Sequence, residues 1–312
     1  MTRVAAVDCG TNSLRLLVAD LDGAQKTDVH REMRVVRLGQ DVDRTGVLAP
    51  DALERTRAAL VDYAGTCSEL GVEAVRMVAT SATRDARNRD DFTALVRGVL
   101  GVEPQVASGA EEAALSFDGA TRGLDPSLGP FLVMDIGGGS TEFVLGSDDV
   151  SVALSVDVGC VRLTERHLAD DPPTPQQVLA ARADVEAALD RVLEVVPAAG
   201  ARTAIGLAGS VTTVAALALG LAAYDPERIH LTRVSAGQVR EVTERLLAMS
   251  RAERAALPVM HPGRVDVIGA GALVLLAAVE RLDLAEVVVS EADILDGIAW
   301  SVPSRGVTRS PS

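Results

Sequence analysis

Lysine is almost absent from this chain of 312 residues, which contains one, Lys26. No Gly-Lys-Ser or Gly-Lys-Thr follows a glycine-rich segment, so a Walker-type phosphate loop is excluded. Cysteine is scarce too: Cys9, Cys67 and Cys160 are odd in number and far apart, in a spacing that fits neither a disulfide framework nor a zinc site. Isolated thiols of this kind predict a reducing, cytoplasmic compartment.

Positive charge is in deficit as well. The chain has 30 basic and 44 acidic residues, a net charge of -14, and such a surface repels nucleic acid and anionic membranes. Residues 1–20 contain no uninterrupted apolar core, so no signal peptide is predicted. The uncharged residues 203–224 are long enough to span a bilayer. Their glycines and hydroxyl residues gather at one end, which favours a strand, turn and helix instead.

What the chain does contain is an internal repeat. Apolar residues 4–7, polar residues 8–13 and apolar residues 14–19 are followed by the same order at 131–145. Placing Asp135 over Asp8 gives an offset of 127 residues. Two homologous halves that face each other across a cleft are the simplest interpretation. Each repeat is predicted to be a hairpin with a polar tip.

Strands alternate with helical patterns along both halves, which predicts an α/β fold. We expect a helix over residues 51–64, a buried strand over 74–79 and capped helices beginning after Thr174 and Ser235. Glycine and proline interrupt residues 118–130, where we place a hinge. The predicted domains are therefore 1–125 and 126–300, followed by a disordered tail at 301–312.

Each polar turn begins with an acid and continues with glycines and hydroxyl or amide residues. Such turns present backbone N–H groups and hydroxyls to phosphate oxygens, and the acid can hold a bridging metal ion. A single turn of this kind would be explained as a hairpin tip, but two at the repeat offset predict a phosphate cleft. A third turn, at Gly209 and Ser210 before a helix, adds a helix N-terminus suited to an anion. The candidate phosphate-binding residues of the first two turns are Gly10, Thr11, Asn12, Ser13, Gly137, Gly138, Gly139, Ser140 and Thr141.

These turns lie in segments that resemble the exopolyphosphatase and guanosine pentaphosphate phosphohydrolase (Ppx/GppA) family. The segments read AAVDCGTNSLR from residue 5 and MDIGGGSTE from residue 134. The likeness continues at TSATRDA, SGAEEA, GCVRLT, PGRVDVI and SEADILDG, in one order from residue 4 to about residue 298. The resemblance implies two actin-like domains, of the ribonuclease H-like and sugar kinase/Hsp70 superfamily, on either side of a cleft.

Two adjacent glutamates can be separated by their helix positions. Ser108 with Glu111 three residues later fits a capping box, so Glu111 has a structural role. Glu112 lies about 100° further round the helix and can point into the cleft. On the residues alone, two solvated glutamates at a helix start are the better explanation. The resemblance places the catalytic glutamate, a general base, at Glu112 and implies a metal or water contact for Glu142.

Arginine supplies nearly all of the positive charge that a polyanion would need. Arg15 and Arg84 lie in segments that resemble the family, and the resemblance implies that both contact phosphate. Surface arginines with no such role are the alternative. Arg162 and Arg264 are second choices for the same contact, because Arg264 stands close to Asp266 and can pair with it.

The function that the resemblance implies is metal-dependent hydrolysis of the terminal phosphoanhydride of inorganic polyphosphate. Glu112 would deprotonate the attacking water, and Asp8, Asp135 and Glu142 would hold Mg²⁺ or Mn²⁺ near the phosphate. A monovalent cation such as K⁺ is a further candidate cofactor. Guanosine pentaphosphate is the alternative substrate, and a homodimer is expected.

Two other functions stay open. A small-molecule kinase of the same fold would use the same turns together with an adenosine site near residues 269–272. A regulator that binds guanosine tetraphosphate or pentaphosphate without hydrolysis would need no working base. The chain has no His-Asp dipeptide, so we expect it to lack the metal phosphohydrolase extension of long family members, and it resembles a short, two-domain form.

Overall fold

Two β-sheets, one from each half of the chain, organise the molecule. The computed structural model describes residues 1–23 and 25–302. The strands of the first half are β1 (Thr2–Cys9), β2 (Ser13–Asp22), β3 (Gln25–Val35), β4 (Ala74–Ala79) and β5 (Gln105–Val106). Its helices are α1 (Val42–Thr45), α2 (Pro50–Glu69), α3 (Ser81–Asp85), α4 (Arg89–Leu100) and α5 (Gly109–Thr121).

The second half repeats this alternation with more helices. Its strands are β6 (Phe131–Ile136), β7 (Thr141–Gly146), β8 (Val150–Val156), β9 (Thr203–Leu207), β10 (Arg233–Ser235) and β11 (Glu286–Val289). Its helices are α6 (Cys160–His167), α7 (Pro175–Val195), α8 (Ala208–Ala218), α9 (Pro226–Ile229), α10 (Ala236–Ala248), α11 (Arg251–Ala255), α12 (Ile268–Arg281) and α13 (Ile294–Trp300). Short 3₁₀ turns cover Pro126–Leu128, Ala198–Gly200 and Pro262–Arg264.

The two sheets share one strand order over five strands. It is β3-β2-β1-β4-β5 in the first sheet and β8-β7-β6-β9-β11 in the second, where β10 adds a sixth strand beside β11. In both, the opening strands form an antiparallel hairpin, and the first strand of the hairpin runs parallel to a strand that follows later. The predicted α/β class and the predicted duplication are therefore confirmed.

Each sheet is covered on one face by helices of its own half and on the other by a helix from the other half. Side chains alternate between the faces of a strand, so in β1 Val7 packs toward α2 and α4 while Val4 packs against α13. In β6, Val133 packs against α5. The domain boundary after residue 125 and the hinge at residues 118–130 stay predictions. By packing, α5 goes with the second sheet and α13 with the first.

The two exchanged helices, α5 and α13, cross at glycines. A Cβ added to Gly119 would lie 1.9 Å from the carbonyl oxygen of Asp293, and one added to Gly297 would lie 2.0 Å from that of Leu115. Neither carbonyl can move without displacing its helix. Glycine at both positions therefore allows the helix backbones to approach this closely.

Most of the local predictions agree with the structure. The predicted strand over residues 74–79 is β4, and the predicted helix over 51–64 lies within the longer α2. The capping boxes at Thr174 and Ser235 are both formed. The uncharged residues 203–224 contain β9 and α8, and no helix in the described ranges is long and apolar enough to cross a membrane. The predicted disordered tail falls, from residue 303 onward, outside the described residues.

Candidate active site

The two acid-led turns line one cavity, which has a volume of about 100 Å³ and receives residues from both halves. The predicted residues in its lining are Asp8, Gly10, Thr11, Asn12, Ser13, Arg15, Glu112, Asp135, Gly137, Gly138, Ser140, Gly209 and Ser210. Four predicted residues are not in the lining: Arg84, Gly139, Thr141 and Glu142. The turns are 127 residues apart in sequence, and the fold brings them to one place.

The first turn has its carbonyl groups tied back into the protein. The carbonyl of Thr11 accepts from the amide of Gly39 at 2.8 Å, and that of Asn12 accepts from the amides of Val36 and Arg37 at 3.1 and 2.8 Å. The amides of Thr11 and Asn12 donate to no acceptor among the described residues. Unused amides in a turn form an anion-binding concavity.

The second turn repeats this arrangement. The carbonyls of Gly137 and Gly138 accept from the amides of Cys160 and Val161, at 3.0 and 2.8 Å, at the start of α6. Within the part of the chain that the structure describes, the amides of Gly138 and Gly139 have no acceptor. Both halves thus offer backbone N–H donors to the cavity, although the chain has no Walker-type phosphate loop.

Gly139 and Thr141 have structural positions beside the cavity. A Cβ on Gly139 would lie 2.6 Å from Oγ of Ser81 and 2.8 Å from Oγ1 of Thr11, so the two turns touch here. The hydroxyl of Thr141 is buried and donates to the carbonyl of Val158 at 2.6 Å. Contact of that hydroxyl with phosphate stays a prediction, and the fold already uses its proton.

Glu112 lies on α5 and faces the cavity, whereas Glu111 forms the predicted capping box with Ser108. Arg84 donates from Nη1 to Oε2 of Glu112 at 3.0 Å. This is the hydrogen bond found for the Glu112 carboxylate among the described residues, so Oε1 is not engaged by it. Burial raises the pKa of Glu112 to about 7, although Arg84 opposes the shift. The site therefore holds a carboxylate with one oxygen fixed and one free to take a proton.

Three more carboxyl groups are buried nearby. Burial raises the pKa of Asp8, that of Asp135 to about 6 and that of Glu142 far above its usual range. Ser116 donates to Asp135 at 2.6 Å, and Ser155 donates to Glu142 at 2.7 Å. Glu142 is not part of the cavity lining and has 1% of its surface exposed. The four buried carboxyl groups repel one another when charged, so this arrangement favours either their protonation or the binding of a cation.

The repeat carries opposite charges at one pair of equivalent positions. Across the first hairpin Asp8 pairs with Arg15, and across the second Asp135 pairs with Glu142. Arg15 forms an ion pair with Asp8 at 2.7 Å and a second ion pair with Asp293. Two carboxylates therefore already hold the guanidinium of Arg15. Its contact with phosphate stays a prediction.

Arg264 is less constrained than either predicted arginine. Arg264 lines the cavity and donates from Nη1 to Oγ1 of Thr213 at 3.2 Å. No carboxylate of the described residues forms an ion pair with Arg264. Asp266, its suspected partner, pairs with Arg37 and Arg251 instead. A second cavity, of about 470 Å³, adjoins the first and is also lined by Arg264. Among the arginines of the site, it has the guanidinium most available to an anion.

The donor set fits a hard divalent cation. Oδ1 of Asp8 is buried and has no hydrogen-bond partner among the described residues. Oxygen ligands suit Mg²⁺ and Mn²⁺, and Mg²⁺ commonly uses one or two carboxylates together with water and substrate phosphate. The described ranges contain no group of three His, Cys, Asp or Glu side chains placed to hold a metal. The protein would therefore supply part of the coordination shell, through Asp8 and Asp135.

The sequence assigned no role to several residues of this site. Ser81 and Cys160 line the cavity, Asp293 pairs with Arg15, and Ser116 holds Asp135. The sequence could have pointed to Asp293, because it lies in a segment that resembles the family. The indication for Ser116 is weaker: it lies one helical turn after Glu112 and so shares its face of the helix.

Comparison with known proteins places this chain in a family. A model described as the Ppx/GppA phosphatase family matches residues 17–303. Exopolyphosphatase 2 of Mycobacterium tuberculosis is 53% identical, over 97% of this chain and 99% of that protein. A solved exopolyphosphatase-like protein has 43% identity and a TM-score of 0.92, covering 96% and 98% of the two chains. The Ppx/GppA family member of Aquifex aeolicus has 30% identity and a TM-score of 0.80, covering 95% and 96%. With its acid-led turns and a carboxylate at one cavity, the chain belongs to the Ppx/GppA phosphatase family.

Proposed function

We propose that this protein is an exopolyphosphatase that hydrolyses the terminal phosphoanhydride of inorganic polyphosphate and releases phosphate. The observation that carries the proposal is the shared cavity, which is lined by turns from both halves with unused backbone amides and by Glu112. A relative named exopolyphosphatase 2, similar over nearly the whole chain, supports the substrate class.

The reaction needs positioning and a base. The amides of the two turns bind the oxygens of the terminal phosphoryl group, and Oε1 of Glu112 accepts a proton from the attacking water. The water oxygen forms the new P–O bond, and the bridging P–O bond breaks, which leaves the polymer one phosphate shorter. Arg84 keeps Oε2 of Glu112 in place during this step. Such a transfer requires alignment and charge stabilisation rather than a covalent intermediate.

Asp8 and Asp135 are the residues that would hold a divalent cation such as Mg²⁺ or Mn²⁺. When bound, the cation neutralises phosphate oxygens and the buried acids together. Glu142 is outside the cavity lining, and burial raises its pKa, so it is neutral unless a nearby cation favours its charged form. Its predicted role as a third ligand of the cation stays a prediction. A further site for a monovalent cation such as K⁺ stays a prediction.

Arg264 is expected to set substrate affinity. In the Arg264→Ala variant KM for polyphosphate should rise about tenfold or more, because a charge-assisted hydrogen bond to phosphate contributes roughly 1.5–3 kcal/mol. The turnover number should fall much less, since the base and the turns are untouched. Steady-state phosphate release gives both constants. Arg251→Ala, which removes an exposed arginine paired with Asp266, is the control. Equal KM values in the two variants would remove Arg264 from the binding site.

Activity is expected to increase with pH across the neutral range. The base must be deprotonated, and burial raises the pKa of Glu112 to about 7, so the active fraction grows as the pH passes through that value. A glutamate of ordinary pKa would give a flat profile there. The inflection should move to lower pH as the divalent cation is increased, because a nearby cation favours the charged form. The profile of kcat/KM measures this, and a flat profile from about pH 5.5 to 8.5 would contradict it.

One assay separates the candidate functions. Phosphate release is compared on short polyphosphate, long polyphosphate and guanosine pentaphosphate with Mg²⁺ present, and we expect polyphosphate to be the better substrate. A kinase would instead form ADP and a phosphorylated acceptor from ATP. Its adenosine site near residues 269–272 is disfavoured, because those residues are buried inside α12. Tight binding of guanosine pentaphosphate without phosphate release from any substrate would favour the regulator. A homodimer and a cytoplasmic location also belong to this proposal.

A further inference from the structure

Arg162, on α6, joins the second turn to the first half of the chain. Its Nε donates to the carbonyl of Gly139 at 2.7 Å, and its Nη2 donates to Oδ2 of Asp85 at 2.6 Å. Its Nη1 donates to Asp43. The side chain is 11% exposed and does not line the active-site cavity. One planar guanidinium therefore connects acceptors on three segments, a geometry that lysine cannot reproduce.

On the side of the second turn, Arg162 completes a row of contacts. The carbonyls of Gly137 and Gly138 accept from the first amides of α6, and Arg162 adds the carbonyl of Gly139. In a planar trans peptide the C=O and the following N–H point in opposite directions. Holding these carbonyls toward α6 therefore turns the next amides away from α6, toward the cavity.

On the side of the first half, Arg162 reaches the helix that arranges the rest of the site. Asp85 is the last residue of α3. The same helix carries Ser81, whose Oγ is 2.9 Å from the hydroxyl of Thr11 in the first turn. It also carries Arg84, which pairs with the general base. The ion pair from Arg162 thus ties one turn to the helix that contacts the other turn and the base.

We propose that Arg162 is a positioning residue that holds the amides of the second turn at the spacing from the first turn and from Glu112 that phosphoryl transfer requires. The effect on turnover rests on the proposed function. A displacement of about 1 Å can cost about 100-fold in rate, so a residue outside the cavity can still control turnover.

Arg166 provides a matched control for this role. It lies one turn later on α6 and pairs with Asp43 at 2.6 Å and with Asp184 at 3.1 Å, without contact to the second turn. We expect Arg162→Ala to lower kcat for polyphosphate about tenfold or more, and Arg166→Ala to change it less than about twofold. Arg162→Lys should recover stability without recovering kcat. Recovery of both by lysine would mean that the charge alone matters, which would overturn the proposal.

A second readout does not depend on turnover. Amide hydrogen exchange at Gly137, whose N–H donates to the carbonyl of Ser140 within the turn at 3.0 Å, should be faster in Arg162→Ala than in Arg166→Ala, because the turn loses the contact of Arg162 with the carbonyl of Gly139. If the wild-type protein releases no phosphate, the proposed function fails while exchange still decides whether Arg162 holds the turn. Unchanged exchange, or equal kcat in the two alanine variants, would overturn the positioning role. If Arg162→Ala does not fold, Asp85→Asn removes the other end of the ion pair, and an unaltered kcat there would also overturn it.

Discussion

Replacement of Glu112 by glutamine is expected to lower turnover of polyphosphate by about 10² to 10⁴-fold, the usual contribution of a general base. Glutamine keeps the shape of the side chain and an oxygen that can accept from Arg84, but its amide cannot take the proton of the attacking water. Burial raises the pKa of Glu112 to about 7, so the fold already accommodates a neutral group at this position. The variant should therefore fold normally. Phosphate release measures the loss of turnover, and thermal unfolding tests whether the fold is retained.

The neighbouring glutamate is the control for this substitution. Glu111→Gln changes the same chemical group one residue earlier, on the same helix, and glutamine can still complete the capping box with Ser108. Turnover in Glu111→Gln should stay within about twofold of the wild-type value, as is usual for a surface residue without a role in the reaction. Near-normal phosphate release by Glu112→Gln would remove Glu112 from the mechanism and leave the base unassigned.

The second large effect is expected on stability, in the variant Gly119→Ala. Its new Cβ would lie 1.9 Å from the carbonyl oxygen of Asp293, so α5 and α13 would have to separate. Forcing extra atoms into a tightly packed contact costs typically 1–3 kcal/mol and occasionally more. A clash with backbone belongs at the upper end of that range, because no side chain can rotate away. Chemical denaturation should show the free energy of unfolding lowered by at least about 2 kcal/mol.

Gly123→Ala is the matched control, because a Cβ at Gly123 would meet no atom within 4 Å. It introduces the same group four residues later and should change the free energy of unfolding by less than about 0.5 kcal/mol, as surface substitutions usually do. Because Asp293 also pairs with Arg15, Gly119→Ala should reduce activity as well as stability. Equal denaturation midpoints in the two variants would show that the helices do not cross as described.

The hairpins, the turns and the separate positions of Glu111, in the capping box, and Glu112, in the cavity lining, could be predicted from sequence, because each depends on residues close together in the chain. Glycines and hydroxyl residues next to an acid mark a turn wherever they occur, and the capping box spans four residues, Ser108 to Glu111. The offset of the repeat also placed Asp8 and Asp135 together, since equivalent corners of two facing halves meet. Local chemistry combined with internal symmetry was enough to locate the cavity.

The ion-pair partners of the arginines could not be predicted from local sequence. Arg15 pairs with Asp293, 278 residues further along the chain, and Arg84 pairs with Glu112 rather than lining the cavity. Such contacts depend on how α13 and α3 are placed by packing, which no local pattern records. Arg264 is left without a carboxylate partner among the described residues because Asp266 pairs with Arg37 and Arg251, a choice that adjacency in sequence could not reveal.

The exchange of α5 and α13 between the sheets affects how the polypeptide is made. Synthesis proceeds from the N-terminal side, and the first sheet needs α13, from the second half of the chain, to shield one of its faces from water. That face stays exposed on the ribosome until α13 has emerged. We therefore expect residues 1–125, expressed alone, to form an aggregation-prone fragment.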